Sequence, residues 1–141
     1  MNGQLFTSNI QGLTSLKVPA RKILITRAGP EVLGSIRDRV LSPSNSLFTK
    51  YLHDWKNQMD PDIWWPKYEK QFGKQFKNEE MIEHLRIIYK LLISGENVVV
   101  ICYCRDWHYC HRRLIGEFFK KYGIRVKELS PIYSKQTWLD I

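Results

Sequence analysis

A chain of 141 residues, 43% hydrophobic and 26% charged, has the size and balance of one soluble globular domain, spanning 1–141, that can bury a core without staples. Its longest apolar run, at 98–102, falls far short of the roughly 20 residues a membrane helix needs, and its N-terminus lacks the basic-then-apolar order of a secretory signal. The net charge is +8, and the three cysteines are an odd count crowded into nine residues, which excludes a disulfide framework and points to a reducing, cytoplasmic setting with no membrane partner.

The charge is unevenly spread. Residues 17–39 carry six Lys/Arg against Glu31 and Asp38, and residues 105–127 carry seven against Asp106 and Glu117. Those two segments hold +9 between them and the rest of the chain −1. Such concentration is a footprint of polyanion binding, beside the plain alternative of an unengaged basic surface.

In chain order, "QLFTS" (4–8) and "KILITR" (22–27) read as strands from their β-branched and aromatic residues. "PEVLGSIRDRV" (30–40) is a helical candidate interrupted by Gly34. Ser46 is placed to cap "LFTKYLHDW", whose Leu47, Phe48, Tyr51, Leu52 and Trp55 keep one helical face. Pro66 suits the first turn of "PKYEKQF" and Gly73 its end. Asn78 precedes a helix over 79–94, with acids in its first turn and Gly95 just past it. "NVVVICY" (97–103) has the unbroken apolar character of a central strand covered on both faces. A helix over about 109–122 ends at Gly123, and "RVKEL" (125–129) is a last strand. The order β, β, helical middle, β-α-β predicts a single three-layer α/β domain with a small, mostly parallel sheet, in which 44–94 is a helical section of the same domain.

The chemistry concentrates at "CYCRDWHYCHRR" (102–113), which holds every cysteine and two of the four histidines. In parallel sheets, ligands bind beyond the carboxyl ends of the strands, and a helix beginning there offers free N–H groups to an anion. Cys110 at such a helix start, beside arginines, is expected to have a lowered pKa. Arg112 or Arg113 is expected to clamp a phosphate, with no structural cost when Arg112 is removed, and His111 to serve as acid, base or donor. Thr7, Ser8 and Asn9 after one strand and Arg27 after the next are expected to meet at the same rim. The plain alternatives are an inert buried thiol at Cys102, a core thiol at Cys110 and a solvent-facing arginine. Zinc would need four ligands, but the two-residue-gap pairs of zinc knuckles are missing, so no metal is expected. The phosphatase spacing is also missing, since no cysteine is followed by arginine six residues on.

"LFTSN" near the start, "RAGP" after the second strand, "LSPS" before a helix and "ICY…CHRRLIGEF" after the central strand together resemble the domain-of-unknown-function family 488, over about residues 5–129. By position, that family's recurring polar residues fall on Thr7, Ser8, Asn9, Arg27, Ser42, Ser44, Cys102, Cys110, His111 and Arg112. The resemblance implies an α/β fold and a shared rim, but no reaction. This chain departs from the pattern at Cys104, where the family usually has an acid.

The expected function is to bind or act on a nucleotide, nucleoside or other phosphorylated small molecule, without a cofactor. Cys110 and His111 are the catalytic candidates, and Thr7, Ser8, Asn9, Arg27, Ser42, Ser44, Cys102 and Arg112 the binding ones. The alternative is a basic nucleic-acid-binding or processing accessory protein, in which Trp64 and Trp65 would stack on bases if exposed, although such a pair more often packs a helix start against the core.

Overall fold

The computed structural model describes residues 1–131; the last ten residues of the expected 1–141 domain lie outside the described residues. Five strands, β1 (Leu5–Ser8), β2 (Arg21–Leu24), β3 (Ser35–Arg37), β4 (Val98–Ile101) and β5 (Val126–Glu128), form one sheet in the order β3-β2-β4-β1-β5. Every pairing is parallel, with Leu5 opposite both Val98 and Val126, and Ile23 opposite Val100 and Ile36. Among the described residues the α-helices are α1 (Asn45–Lys50), α2 (Pro61–Gln75), α3 (Glu79–Ile93) and α4 (His111–Lys120). The α/β architecture read from the chain is therefore present, and the sheet is wholly parallel.

The central strand explains the layering. Val98 to Ile101 are completely buried, with alternate residues facing opposite ways. Val98, Val100 and Cys102 join Leu5 and Ile25 in a core that also takes Leu47, Trp64, Phe72, Leu85, Leu92, Ile115 and Phe119 from the helices. Val99 and Ile101 join Phe6, Leu24 and Leu129, covered by Leu13, Leu16, Ala20 and Val32. One outer layer is thus thick and helical. The other is a thin cover formed largely by the β1–β2 connection, which includes a single 3₁₀ turn over Gln11–Ser15.

Neighbouring strands β1 and β4 send their chains to opposite faces. The link from β1 packs on the thin side, whereas β4 leads through α4 on the helical side and over β1 to β5. That divergence opens a crevice at the carboxyl ends of the strands.

Three local expectations are corrected. The 30–40 segment contains no α-helix: Gly34 sits at φ +80, in the left-handed region, turning the chain into edge strand β3. The α1 cap is Ser44, whose side chain accepts from the Leu47 amide, and α1 continues through a widened π turn over Tyr51–Trp55. Helix α2 starts one turn before Pro66, where Asp60 accepts from the Asp62 amide and Pro61 takes the first position. Pro66 and Gly73 lie inside α2. A proline in the second turn forfeits one backbone hydrogen bond, and Pro66 does so on the exposed side. The Asn78 cap, accepting from the Glu80 and Met81 amides, is as expected, and Gly95 past α3 has φ +101.

Candidate functional site

The site is built where β4 ends and α4 begins. Cys102 follows β4 with 1% exposure, carried there by the strand's apolar alternation. The chain then crosses a short loop in which Asp106 accepts from the His108 amide and caps a 3₁₀ turn, Trp107–Tyr109. Cys110 comes next, in extended backbone at φ −131 and ψ 142, as the N-cap of α4. Its sulfur lies 2.8 Å from that of Cys102. Because Cys110 is not itself helical, the roughly 100° divergence of successive helical side chains does not separate it from His111. His111 Nδ1 lies 3.9 Å from Cys110 Sγ, and its Nε2–H donates to the Ile25 carbonyl at 2.7 Å. The ring also packs against Phe72.

Arg112 is not a solvent-side anion clamp. It is fully buried. Its Nε and Nη2 donate to the two carboxylate oxygens of Glu128 at 2.9 and 3.2 Å. Its Nη1 donates to the Cys104 carbonyl at 2.8 Å and reaches Cys102 Sγ at 3.2 Å and Cys110 Sγ at 3.5 Å. The guanidinium therefore lies beneath the thiols, tying α4 to β5. Arg113 is half-buried, paired with Glu117 at 2.9 Å and set over the Trp65 ring.

These contacts divide the protons among the thiols. Burial pushes the Cys110 thiol up, but hydrogen bonds from Cys102 and Cys104, the Arg112 charge and the Arg112 amide outweigh it and hold the group well below the usual thiol range. Burial raises Cys102. Cys104 is raised well above the thiol range by its hydrogen bonds to Cys102 and Cys110 and by burial. Within the cluster these shifts make Cys110 the thiol that gives up its proton most readily, with Cys102 and Cys104 keeping theirs. Burial lowers His111, which stays neutral; with Nε2 donating to Ile25, Nδ1 is the lone-pair nitrogen turned to the sulfur.

The thiols open onto a cavity of about 530 Å³. Phe48, Tyr51, Trp64, Tyr68, Tyr103 and Tyr109 are among its lining, as are Arg27, Lys56 and Arg105. Thr26 also lines it, and its buried hydroxyl has no hydrogen-bond partner among the described residues. Burial raises the phenols of Tyr51 and Tyr68, so both are neutral walls. Trp64 and Trp65 are 4% and 7% exposed and pack with Trp55, Tyr68 and Tyr109, which removes them as a stacking surface for nucleic acid.

The family model described as the active DUF488-N3 subclade matches residues 14–123, more than three quarters of the chain. The chain belongs to the DUF488-N3a family. No curated protein and no solved structure matches it. The span matched to DUF488-N3a takes in β2 to α4, including the whole thiol cluster, and leaves β1 and β5 outside.

Within this DUF488-N3a fold, the polar residues expected at one rim separate into two groups. Arg27, Cys102, Cys110 and His111 line the cavity. Thr7, Ser8 and Asn9 do not: Thr7 donates to Glu128 at 2.7 Å, Ser8 to the Asn9 carbonyl, and Asn9 Oδ1 accepts from the Gly12 amide. Ser42 donates to the Arg39 carbonyl, and Ser44 caps α1, both held by Gln75 through the Ser42 carbonyl and the Ser44 amide. These are fold-building contacts, made because polar groups at buried strand ends need partners. Thr26 and the aromatic walls were missed. The position of Thr26 just before Arg27, after β2, was the available signal; Phe48, Tyr51, Trp64 and Tyr68 come from α1 with its π turn and from α2, and Tyr103 and Tyr109 from the connection between β4 and α4, whose mutual packing no local pattern specifies.

Cys102, Cys110 and His111 are also the described residues that could converge on one metal ion, their donor atoms lying within 4.8 Å of each other. The fit is poor. Two sulfurs on one tetrahedral zinc at about 2.3 Å each stand about 3.8 Å apart, against 2.8 Å here. The Arg112 cation also lies against both sulfurs.

Proposed function

We propose that the protein binds and acts on a nucleotide or nucleoside in this cavity, with the flat base between aromatic walls and the phosphate toward Arg27, Lys56 and Arg105. The carrying observation is the Thr26 hydroxyl, buried in the cavity lining without a partner among the described residues. A buried polar group in that condition calls for an external hydrogen bond, and a ligand hydroxyl or ring nitrogen supplies one. A cavity of about 530 Å³ that is mostly apolar, with a few convergent polar groups, is of ligand-binding size. The description of the subclade as active supports catalysis. For that step Cys110 is the nucleophile, held as thiolate at the start of α4, and neutral His111, with Nδ1 beside the sulfur, takes the proton of the water that later displaces the covalently held group. Arg112 keeps the thiolate charged and does not touch the ligand.

The test is protection of Cys110 from iodoacetamide by nucleoside monophosphates and their parent nucleosides, read by mass spectrometry. A nucleotide that binds slows alkylation, and the paired substitution Arg27→Ala, Arg105→Ala weakens its binding by about tenfold or more while protection by nucleosides changes little. Thr26→Val weakens both ligands. Alkylation unchanged by every member of the panel would remove the proposal.

A further inference from the structure

Nucleophilic attack on a ligand in the cavity needs one sulfur of the cluster, and a second lies in contact with it. We propose that Cys102 and Cys110 form a two-electron thiol pair that reduces hydroperoxides, with Cys110 attacking the peroxide and Cys102 resolving the product. This does not rest on the nucleotide proposal, since it needs only the two sulfurs, the cation beneath them and the cavity.

Four observations meet at this point. The two sulfurs are 2.8 Å apart, already in contact, although they come from different elements, the end of β4 and the cap of α4. Both line the cavity, so a small solute reaches them even though each residue is 1% exposed. The Arg112 guanidinium donates to both, at 3.2 and 3.5 Å, a cation placed to stabilise charge as it moves from one sulfur to the other. Glu128 holds that guanidinium through two hydrogen bonds, which fixes its orientation. Cys110 is the attacking sulfur because it lies at the amino end of α4 and carries the charge of the cluster. Cys102 is the resolving one because it is already seated against Cys110 Sγ and keeps its proton.

The steps balance. The Cys110 thiolate attacks the terminal oxygen of the hydroperoxide; the O–O bond breaks, the sulfur becomes a sulfenic acid, and the departing alkoxide or hydroxide takes a proton from solvent. The Cys102 sulfur then loses its proton and attacks Cys110 sulfur. The S–O bond breaks, hydroxide leaves and combines with that proton as water, and a disulfide remains. Two thiols have lost two electrons, and one hydroperoxide has become an alcohol (or water) plus water.

Hydrogen peroxide is added in one equivalent to the reduced, ligand-free protein, which is then digested without reductant. Trypsin cuts after Arg105 and places Cys102 and Cys110 on separate peptides. The expected product is a cross-linked peptide pair, with one peroxide consumed per disulfide. Cys104→Ser retains the cross-link, which assigns it to Cys102. Cys102→Ser stops at a Cys110 sulfenic acid that dimedone traps. The wild-type and C104S maps decide the matter even where C102S does not fold. Intact thiols, a link through Cys104, or sulfinic acid at Cys110 without a cross-link would each overturn the proposal. Because no nucleotide is present, that outcome is separate from any failure of the ligand panel.

Discussion

Arg112 and Glu128 form a buried, two-pronged ion pair, with Nε to Oε1 at 2.9 Å and Nη2 to Oε2 at 3.2 Å, joining the first turn of α4 to β5. Thr7 Oγ1 and the Ser130 amide donate to the same carboxylate. A charge pair with no exposure on one side and 6% on the other stands because both partners are saturated with hydrogen bonds.

Removing one partner leaves the other charged and buried. Arg112→Ala is therefore expected to cost about 3–5 kcal/mol of unfolding free energy, measured by urea denaturation. Glu128→Gln keeps the shape and part of the hydrogen bonding, and its loss is smaller. A variant R112A as stable as wild type would mean that the guanidinium is free, contrary to the packing described.

Cys110 is expected to alkylate with a pH midpoint well below that of a free thiol, roughly 8.5, while Cys102 and Cys104 stay slow until higher pH. The folded pKa of Cys110 is depressed, so its contribution to stability is complete above the unfolded thiol value and is lost as pH falls through the folded one. A Cys110 midpoint equal to that of a free thiol would mean that its neighbours do not stabilise the thiolate.

The His111 imidazole is held neutral by burial. Below about pH 6.5 the unfolded imidazole takes up a proton that the folded one resists. Stability is therefore complete above that value, declines as pH falls through it, and goes on declining to the lower folded pKa. His111→Gln should flatten this acid limb of the denaturation free energy against pH. An unchanged slope would place the acid sensitivity in other groups.

Metal removal is expected to change nothing. Dialysis against a chelator should leave the melting temperature unaltered, and elemental analysis of the purified protein should find well under one zinc per chain. Stoichiometric zinc would require the 2.8 Å sulfur contact to open and Arg112 to withdraw.

Much of the fold was legible along the chain. The unbroken apolar run over Val98–Ile101 announced a central strand, and Asn78 and Gly95 bracketed α3 because capping and the left-handed turn are local requirements. The placement of Cys110 and His111 at a helix start after that strand followed from the βα order alone; their approach to each other did not, because successive residues inside a helix diverge by about 100° and only the structure shows Cys110 as an extended N-cap. Where local signals competed, the sequence was ambiguous: Asp60 and Pro61 open α2 as well as Pro66 would, and Gly34 marks a turn into β3 as well as an interrupted helix.

What only the tertiary structure decided is which way the polar residues face. Thr7 and Arg112 resemble binding groups in the sequence, yet both end on Glu128, more than a dozen residues from Arg112 and across the sheet from any local pattern. Thr26, marked in the sequence only by its place after β2, is the buried cavity hydroxyl left without a partner among the described residues. Residue type and local capping are set by neighbours a few positions away. Partner choice among buried polar groups is set by which strand ends meet, and that depends on the strand order β3-β2-β4-β1-β5, which brings residues from remote parts of the chain together.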